Sequence, residues 1–111
     1  FKKGISMKIV GVTACPTGIA HTYMAAEGLE RECRKRNFAV KIETQGSIGP
    51  ENELSQEDVD SADVVILAVG IVIEGEERFE NALVLHADVN KAISHPEVIV
   101  DAAVKLFCES Q

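Results

Sequence analysis

The sequence MKIVGVTACPTGIAHT, residues 7–22, decides the fold class. Residues 7–14 are mostly apolar, which is typical of a buried strand. Pro16 and Gly18 then interrupt the strand, and the apolar spacing that follows predicts a helix from residue 19 or 20 to Arg36. A buried strand that turns at once into an amphipathic helix is typical of a parallel α/β sheet.

Three further apolar runs predict the remaining strands. Residues 64–69 are continuously apolar, as expected for a strand that is covered on both faces. Residues 40–43 alternate apolar with polar side chains, so we expect a half-exposed second strand at an edge of the sheet. Glycine and proline over residues 46–50 predict a loop, and residues 83–85 predict a short fourth strand.

Start signals mark three further helices. Ser55 is a favourable N-cap for a short helix that ends near Ser61. Asp88 favours another helix start, and Pro96 suits the first position of the last helix. The side chains of the first and last helices that are spaced to face the core are Ala26, Leu29, Cys33, Ile99, Ala102, Ala103 and Leu106.

These elements predict a single three-layer α/β domain over residues 7–107. Right-handed crossovers place helices on both faces of a four-stranded parallel sheet, and the order 2-1-3-4 puts the two most apolar strands in the centre. Ligands of such sheets bind beyond the carboxyl ends of the strands, where the order reverses, and Cys15 falls there. Residues 1–6 are expected to be a leader or an addition before a native start at Met7, and residues 108–111 a short tail.

Composition and charge exclude several classes of function. The formal charge of -7 disfavours binding to nucleic acid or to an anionic membrane, since both depend on basic surface. No apolar run reaches the roughly 18 residues of a membrane span. The three cysteines are widely spaced, without a CxxC pair or a metal-ligand pattern. We therefore expect a cytoplasmic protein with free thiols, no metal and no cofactor.

The turn after the first strand suits a reactive thiol and a bound anion. The proline that follows Cys15 holds it extended at the tip of the strand. Main-chain amides that enter a helix together form a cradle at its positive end, and the same field favours a thiolate. A phosphoryl group carried on Cys15 satisfies both requirements. The predicted phosphate-binding loop comprises Pro16, Thr17, Gly18, Ile19, Ala20, His21 and Thr22.

The donors of this loop are uncharged. No lysine or arginine occurs between Gly11 and Ala26, which predicts that a bound phosphoryl group stays transferable. His21 fits three roles: it donates to phosphate, it polarises the thiolate, or it caps the loop structurally. His86 and His95 are interpreted as structural, since neither has other metal-ligand types at useful spacing.

Three segments resemble one protein family. They are CPTGIAHTYMAAE at residues 15–27, ETQG at residues 43–46 and ERF at residues 77–79. Over these segments and most of residues 7–107, the chain is similar to the fructose-type enzyme IIB component of the bacterial phosphoenolpyruvate-dependent sugar phosphotransferase system (PTS). The resemblance implies that Cys15 accepts a phosphoryl group from a phosphohistidine of the IIA component and passes it to a sugar bound by the membrane component IIC.

The chain departs from that family at two places. Gly70 and Ile71 stand where an acidic residue is frequent, and residues 80–88 differ from the usual Gly-Lys-Pro type of turn. The loop at Cys15 is unaffected by either change. The resemblance therefore implies a fructose-like sugar rather than fructose itself.

Two other classes of protein share this arrangement of strand and loop. A low-molecular-weight cysteine phosphatase grips the transferring phosphoryl group with an arginine six residues after the cysteine, where this chain has His21. A flavodoxin-like binding module recruits aromatic side chains, which are scarce here. Hydrolysis of an aryl phosphate would indicate the first class, and bound flavin absorbance the second.

Overall fold

One mixed sheet forms the centre of the computed structural model, which describes residues 7–15, 19–46, 49–70 and 73–110. Its strands within these ranges are β1 Lys8–Ala14, β2 Ala39–Gly46, β3 Gly49–Glu51, β4 Val64–Val69 and β5 Val84–Ala87. They lie in the order β3-β2-β1-β4-β5. The neighbours among β2, β1, β4 and β5 pair in parallel, which confirms the predicted α/β class and the 2-1-3-4 order.

β3 is a fifth strand, so the predicted count of four is wrong. Gly49–Glu51 runs antiparallel to the end of β2, with Pro50 opposite Gln45, whereas the sequence predicts a loop over residues 46–50. Gly49 has a φ of 94°, which glycine adopts without strain. Pro50 is tolerated because β3 is an edge strand, where a missing amide hydrogen is harmless. Three residues that include a glycine and a proline give no periodicity from which a strand could be predicted.

β3 takes the edge position of the sheet beside β2. The sequence predicts instead that β2 itself is a half-exposed edge strand. Ile42, Glu43, Thr44 and Gln45 are all buried. The alternation of residues 40–43 is therefore misleading, because Glu43 is 0% exposed although its position in the pattern indicates a solvent-facing side chain. Its buried carboxylate is paired with Arg78.

Helices cover both faces of the sheet, as predicted. α1 Ile19–Lys35, α3 Val89–Ser94 and α4 Pro96–Glu109 pack on one face. α2 Gln56–Ser61 and a 3-10 helix, Glu76–Phe79, pack on the other. α4 thereby includes the first two residues of the predicted tail. Within the described ranges, no helix combines the length and the apolar composition needed to cross a membrane.

The predicted helix starts are confirmed by their caps. Ser55 Oγ accepts from the Asp58 amide and the Asp58 carboxylate accepts from the Ser55 amide, both at 3.0 Å, which is a capping box for α2. The hydrogen bond from Lys41 Nζ, at 2.9 Å, together with the capping box holds the pKa of Asp58 at about 2. Asp88 caps α3, and Pro96 is the first residue of α4.

Side-chain alternation along β1 places Cys15 on the α1 face of the sheet. Ile9 packs in the core cluster that contains α1, while Val10, Val12 and Ala14 pack in the cluster on the opposite face. Successive side chains of a strand point to opposite faces, so position 15 returns to the α1 face. Cys15 accordingly packs against the cluster that contains α1.

We expect Gly28→Ala to destabilise the fold, although alanine is the better helix former by about 1 kcal/mol. A Cβ at this position would lie 2.7 Å from the main-chain oxygen of Ala92 in α3. α1 and α3 must separate to admit it, at a net cost of about 1–3 kcal/mol. Urea denaturation measures the change, and the exposed Glu27→Ala is the control, expected within about 0.5 kcal/mol of wild type. An unchanged midpoint for Gly28→Ala would show that the two helices are not closely fitted.

Candidate functional site

Cys15 lies at the carboxyl end of β1, which stands between β2 and β4. The chain moves outward from β1 to β2 and β3 and then returns to β4 on the other side, so a crevice opens at this end of the sheet. The main-chain oxygen of Ala14 accepts a hydrogen bond from the Gly70 amide at 2.9 Å, which ties the end of β1 to the chain that follows β4. Cys15 is partly buried just beyond this bond, at the switch point of the sheet.

The amino-terminal end of α1 lies beside this cysteine. The helix begins at Ile19, and its first turn contains no acidic residue. The first amides of a helix have no partner within the helix and carry its positive partial charge. A buried hydrogen bond of 2.9 Å from Thr13 Oγ1 to the main-chain oxygen of Thr22 fixes this end of α1 against β1. The helix end can therefore stabilise negative charge near the sulfur.

The predicted loop falls only partly within the described residues. Pro16, Thr17 and Gly18 lie outside them, as does the side chain of Ile19. Of the predicted loop, the structure therefore places the backbone of residues 19–22 and the side chains of residues 20–22.

His21 lies close to the cysteine. Its Nδ1 is 3.9 Å from Cys15 Sγ, and the imidazole is exposed, as is Ala20 before it. Thr22 is buried, and no other described residue is a hydrogen-bond partner of its Oγ1. The described part of the loop thus brings an imidazole and a hydroxyl to the first turn of α1.

The other two cysteines have different surroundings. Cys33 is fully buried in α1, as its place on the predicted inner stripe indicates. Burial raises the pKa of its thiol to about 12, so this thiol stays protonated. Cys108 is exposed on α4. The position at the switch point of the sheet is specific to Cys15 among the three.

The remaining histidines lie on other elements. His86 is exposed on β5, and His95 precedes α4 with its Nδ1 2.9 Å from Ser94 Oγ. Over the part of the chain that the structure describes, no group of three or more His, Cys, Asp or Glu side chains could hold a metal ion.

A buried ion pair that the sequence analysis missed lies at the end of β2. Arg78 Nη1 donates to Glu43 Oε1 at 2.8 Å, and the Leu54 amide and Gln45 Nε2 donate to the same carboxylate at 2.8 and 2.6 Å. Burial raises the pKa of Glu43, but the hydrogen bonds from Arg78, Leu54 and Gln45 outweigh it and hold the pKa below its usual range. Residues 42–90 contain no lysine and no arginine other than Arg78, and this isolation is the signal that could have identified it.

Tyr23 links α1 to β3. Its hydroxyl donates to Glu51 Oε1 at 2.7 Å, and this hydrogen bond to a carboxylate raises the pKa of the phenol. Tyr23 and the adjacent Met24 are large apolar side chains that remain exposed. The beginning of α1 therefore combines the polar site with apolar surface of the kind that protein partners contact.

The fold and the site define a class of protein: a parallel α/β domain that presents a thiol at its switch point, in front of a helix amino terminus. Residues 10–102 match the family described as "PTS system, Lactose/Cellobiose specific IIB subunit". The chain belongs to this PTS IIB family and is a phosphotransfer component of a sugar phosphotransferase system.

Relatives and solved structures confirm the predicted resemblance to fructose-type IIB components. The chain is 52% identical over 93 residues to the PTS system fructose-like EIIB component 2 of Escherichia coli K12, over 84% of this chain and 88% of that protein. Its fold is similar to the crystal structure of a predicted fructose-specific IIB from Escherichia coli, with a TM-score of 0.85 over 91% of this chain and 89% of that chain. The two sequences are 42% identical. The chain is 44% identical over 96 residues to the PTS system fructose-specific EIIABC component of Mycoplasma pneumoniae, which covers 86% of this chain and 14% of that longer protein.

Proposed function

We propose that Cys15 carries a phosphoryl group between two other components of the PTS. The thiolate attacks the phosphorus of a phosphohistidine on the IIA component, an S–P bond forms, and the P–N bond breaks with its electron pair left on the imidazole. A hydroxyl oxygen of a fructose-like sugar on IIC then attacks the same phosphorus. The S–P bond breaks, the thiolate is restored, and the hydroxyl proton is lost to solvent. The chain is thus a phosphohistidine–sugar phosphotransferase.

The position of Cys15 carries this proposal. The cysteine stands at the switch point of the sheet, and α1 begins at Ile19 with no acidic residue in its first turn. A doubly charged phosphoryl group on the sulfur would face the positive end of the helix and its amides. The same end favours the thiolate that must form before attack and after donation.

Residues 16–22 hold the phosphoryl group in this proposal. The main-chain amides of residues 17–22 and the hydroxyls of Thr17 and Thr22 donate to its oxygens, while Pro16 keeps the cysteine extended. The unpartnered state of Thr22 Oγ1 among the described residues supports its role as such a donor. Residues 11–26 contain no lysine or arginine, so no ammonium or guanidinium group from this stretch holds the phosphoryl group, and it can move onward.

The partners are the phosphorylated IIA component as donor and the membrane component IIC with its sugar as acceptor. The relative named EIIABC supports this pairing, because its name joins A, B and C components in one protein. Relatives named fructose-like or fructose-specific support a fructose-like sugar. The chain works in the cytoplasm, where such donors are available, and it uses neither a metal nor a cofactor.

We expect His21→Gln to slow phosphoryl transfer to Cys15 by about 100-fold, the lower end of what a positioned proton donor or acceptor contributes. The imidazole lies 3.9 Å from the sulfur and is exposed, so its replacement alters the site without loss of core packing. Rapid-quench measurement of loading from phosphorylated IIA tests this, with the exposed His86→Gln as the control. Equal loading rates for the two variants would show that His21 has a purely structural role.

The proposal is tested by sugar phosphorylation with all components present. Membranes that contain the cognate IIC are supplied with phosphoenolpyruvate, enzyme I, the histidine phosphocarrier, IIA and labelled fructose, and parallel reactions contain cellobiose or lactose. We expect a fructose-like sugar to be phosphorylated only when this chain is present. Sugar phosphate that forms equally without the chain, or from cellobiose or lactose instead, would contradict the proposed role or the proposed sugar class.

A further inference from the structure

The chain that follows β4 crosses the end of the sheet. β4 ends at Val69 on one side of β1, but Glu74 contacts Gln45 in β2, on the other side of β1. Gly70, whose amide donates to the Ala14 oxygen, and Ile73, which shares a core cluster with Ala14, both belong to this connection, so its described residues lie by the carboxyl end of β1. We call residues 73–79 the crossing segment.

Gln45 holds the crossing segment by a two-point contact. Its Oε1 accepts from the Glu74 amide at 2.8 Å, and its Nε2 donates to the Glu74 oxygen at 3.0 Å. A third hydrogen bond, from the same Nε2 to Glu43 Oε2 at 2.6 Å, fixes the amide in this orientation. Gln45 is only 8% exposed, whereas Glu74 is exposed, so these bonds attach an exposed segment to a buried side chain of β2. The Glu74 oxygen also accepts from Arg78 Nη2 at 3.1 Å, so the bond to the Glu74 amide is the one that Gln45 alone provides among the described residues.

Arg78 fixes the other end of the crossing segment. While it pairs with Glu43, its Nε donates to the Gly75 oxygen at 2.7 Å and its Nη1 donates to the Leu54 oxygen at 2.6 Å. Gly75 has a φ of 74°, and a Cβ there would lie 2.7 Å from Arg78 Nε. The segment therefore closes tightly around the guanidinium and has little freedom to shift.

The crossing segment also shares a core cluster with the residue before the cysteine. Ile73 and Ala14 are both buried in this cluster. The Ala14 oxygen accepts from the Gly70 amide at 2.9 Å, so a hydrogen bond also joins this residue to the chain that leads into the segment. A shift of the crossing segment would thus be passed to Ala14 and on to Cys15.

We infer that Gln45 is a positioning residue for Cys15: through Glu74 and the crossing segment it sets the end of β1 on which the thiol stands. The inference rests on the proposed function, since it concerns the rate at which Cys15 is phosphorylated. Small displacements of a reacting atom reduce rates strongly, by about 100-fold for 1 Å. Gln45 itself does not need to touch the phosphoryl group.

The test compares Gln45→Leu with Asn52→Gly. Leucine removes all three hydrogen bonds of the amide at similar volume. Asn52 donates to the Ile42 oxygen at 3.1 Å and has a φ of 54°, so glycine removes one bond to β2 at tolerated geometry and leaves the crossing segment intact. The readouts are the single-turnover rate of loading from phosphorylated IIA, and hydrogen exchange at the Gly70 amide by NMR. If Gln45→Leu does not fold, Gln45→Asn, which withdraws the amide by one methylene, replaces it.

We expect Gln45→Leu to load at least about tenfold more slowly and its Gly70 amide to exchange at least about tenfold faster, while Asn52→Gly matches wild type in both. The inference is overturned by unchanged loading, by slow loading without faster Gly70 exchange, or by equal effects in the control variant. If no donor phosphorylates the wild-type protein, the proposed function itself is refuted. Failure of the inference about Gln45 can therefore be told apart from failure of the proposed function.

Discussion

Replacement of Cys15 by serine is expected to abolish phosphoryl relay to sugar, with a loss of at least about 10³-fold. A serine hydroxyl is scarcely ionised near neutral pH, and a phosphate ester on oxygen is a poorer donor than a phosphoryl group on sulfur. The helix end and the uncharged loop would remain, but they stabilise a charge that the serine does not provide. The initial rate of sugar phosphate formation with all PTS components measures the effect.

The matched control is Cys108→Ser, which changes an exposed thiol on α4 and is expected to retain the full rate. Cys33 is buried and protonated and cannot substitute for the missing nucleophile. A Cys15→Ser variant that relays phosphate at more than about a tenth of the wild-type rate would remove the covalent step from the mechanism.

Glu43→Ala is expected to cost about 3–5 kcal/mol of unfolding free energy, because it leaves the Arg78 guanidinium nearly buried without its counter-charge. The same change removes the acceptor of the Leu54 amide and of Gln45. Urea denaturation measures the loss. The control is Glu30→Ala, which breaks a Glu–Arg pair of 3.6 Å with Arg34, whose side chain is largely exposed, and is expected to cost no more than about 1 kcal/mol. Similar losses in the two variants would show that burial does not strengthen the Glu43 pair.

The buried pair also predicts a pH dependence of stability. The folded-state pKa of Glu43 lies below its usual range, whereas the pKa of an unfolded glutamate is about 4.3. The carboxylate therefore stabilises the fold above that pH, and the contribution is lost as the pH falls through the folded-state pKa. We expect the stability of Glu43→Gln to fall less steeply with acid below about pH 4.3 than that of wild type. Parallel curves would contradict a lowered pKa at this residue.

Local patterns were sufficient to predict most of the fold. The capping signal at Ser55, the proline at Pro96 and the continuous apolar run Val64–Val69 each act over a few residues, and all three were found where expected. The predicted strand order likewise put Cys15 at the switch point, because the order of the strands fixes which strand tip lies there.

The features that were missed depend on contacts between distant parts of the chain. Glu43 and Arg78 are 35 residues apart, so nothing local distinguishes a buried, paired glutamate from an exposed one. The strand Gly49–Glu51 has no alternating apolar pattern and is held by its pairing with β2 and by the hydrogen bond from Tyr23 to Glu51. Tertiary context overrides the local pattern in both cases. The ETQG motif was quoted for its resemblance, but the contact of Gln45 with Glu74 becomes visible only in the folded chain.

Phosphorylation of Cys15 can be measured by intact-mass and peptide mass spectrometry after incubation with phosphoenolpyruvate, enzyme I, the histidine phosphocarrier and a fructose-type IIA. We expect one phosphoryl group to be added and to map to Cys15. Protein that stays unmodified beside fully competent donors, or that carries the phosphoryl group on His21 or another side chain, would rule out Cys15 as the carrier.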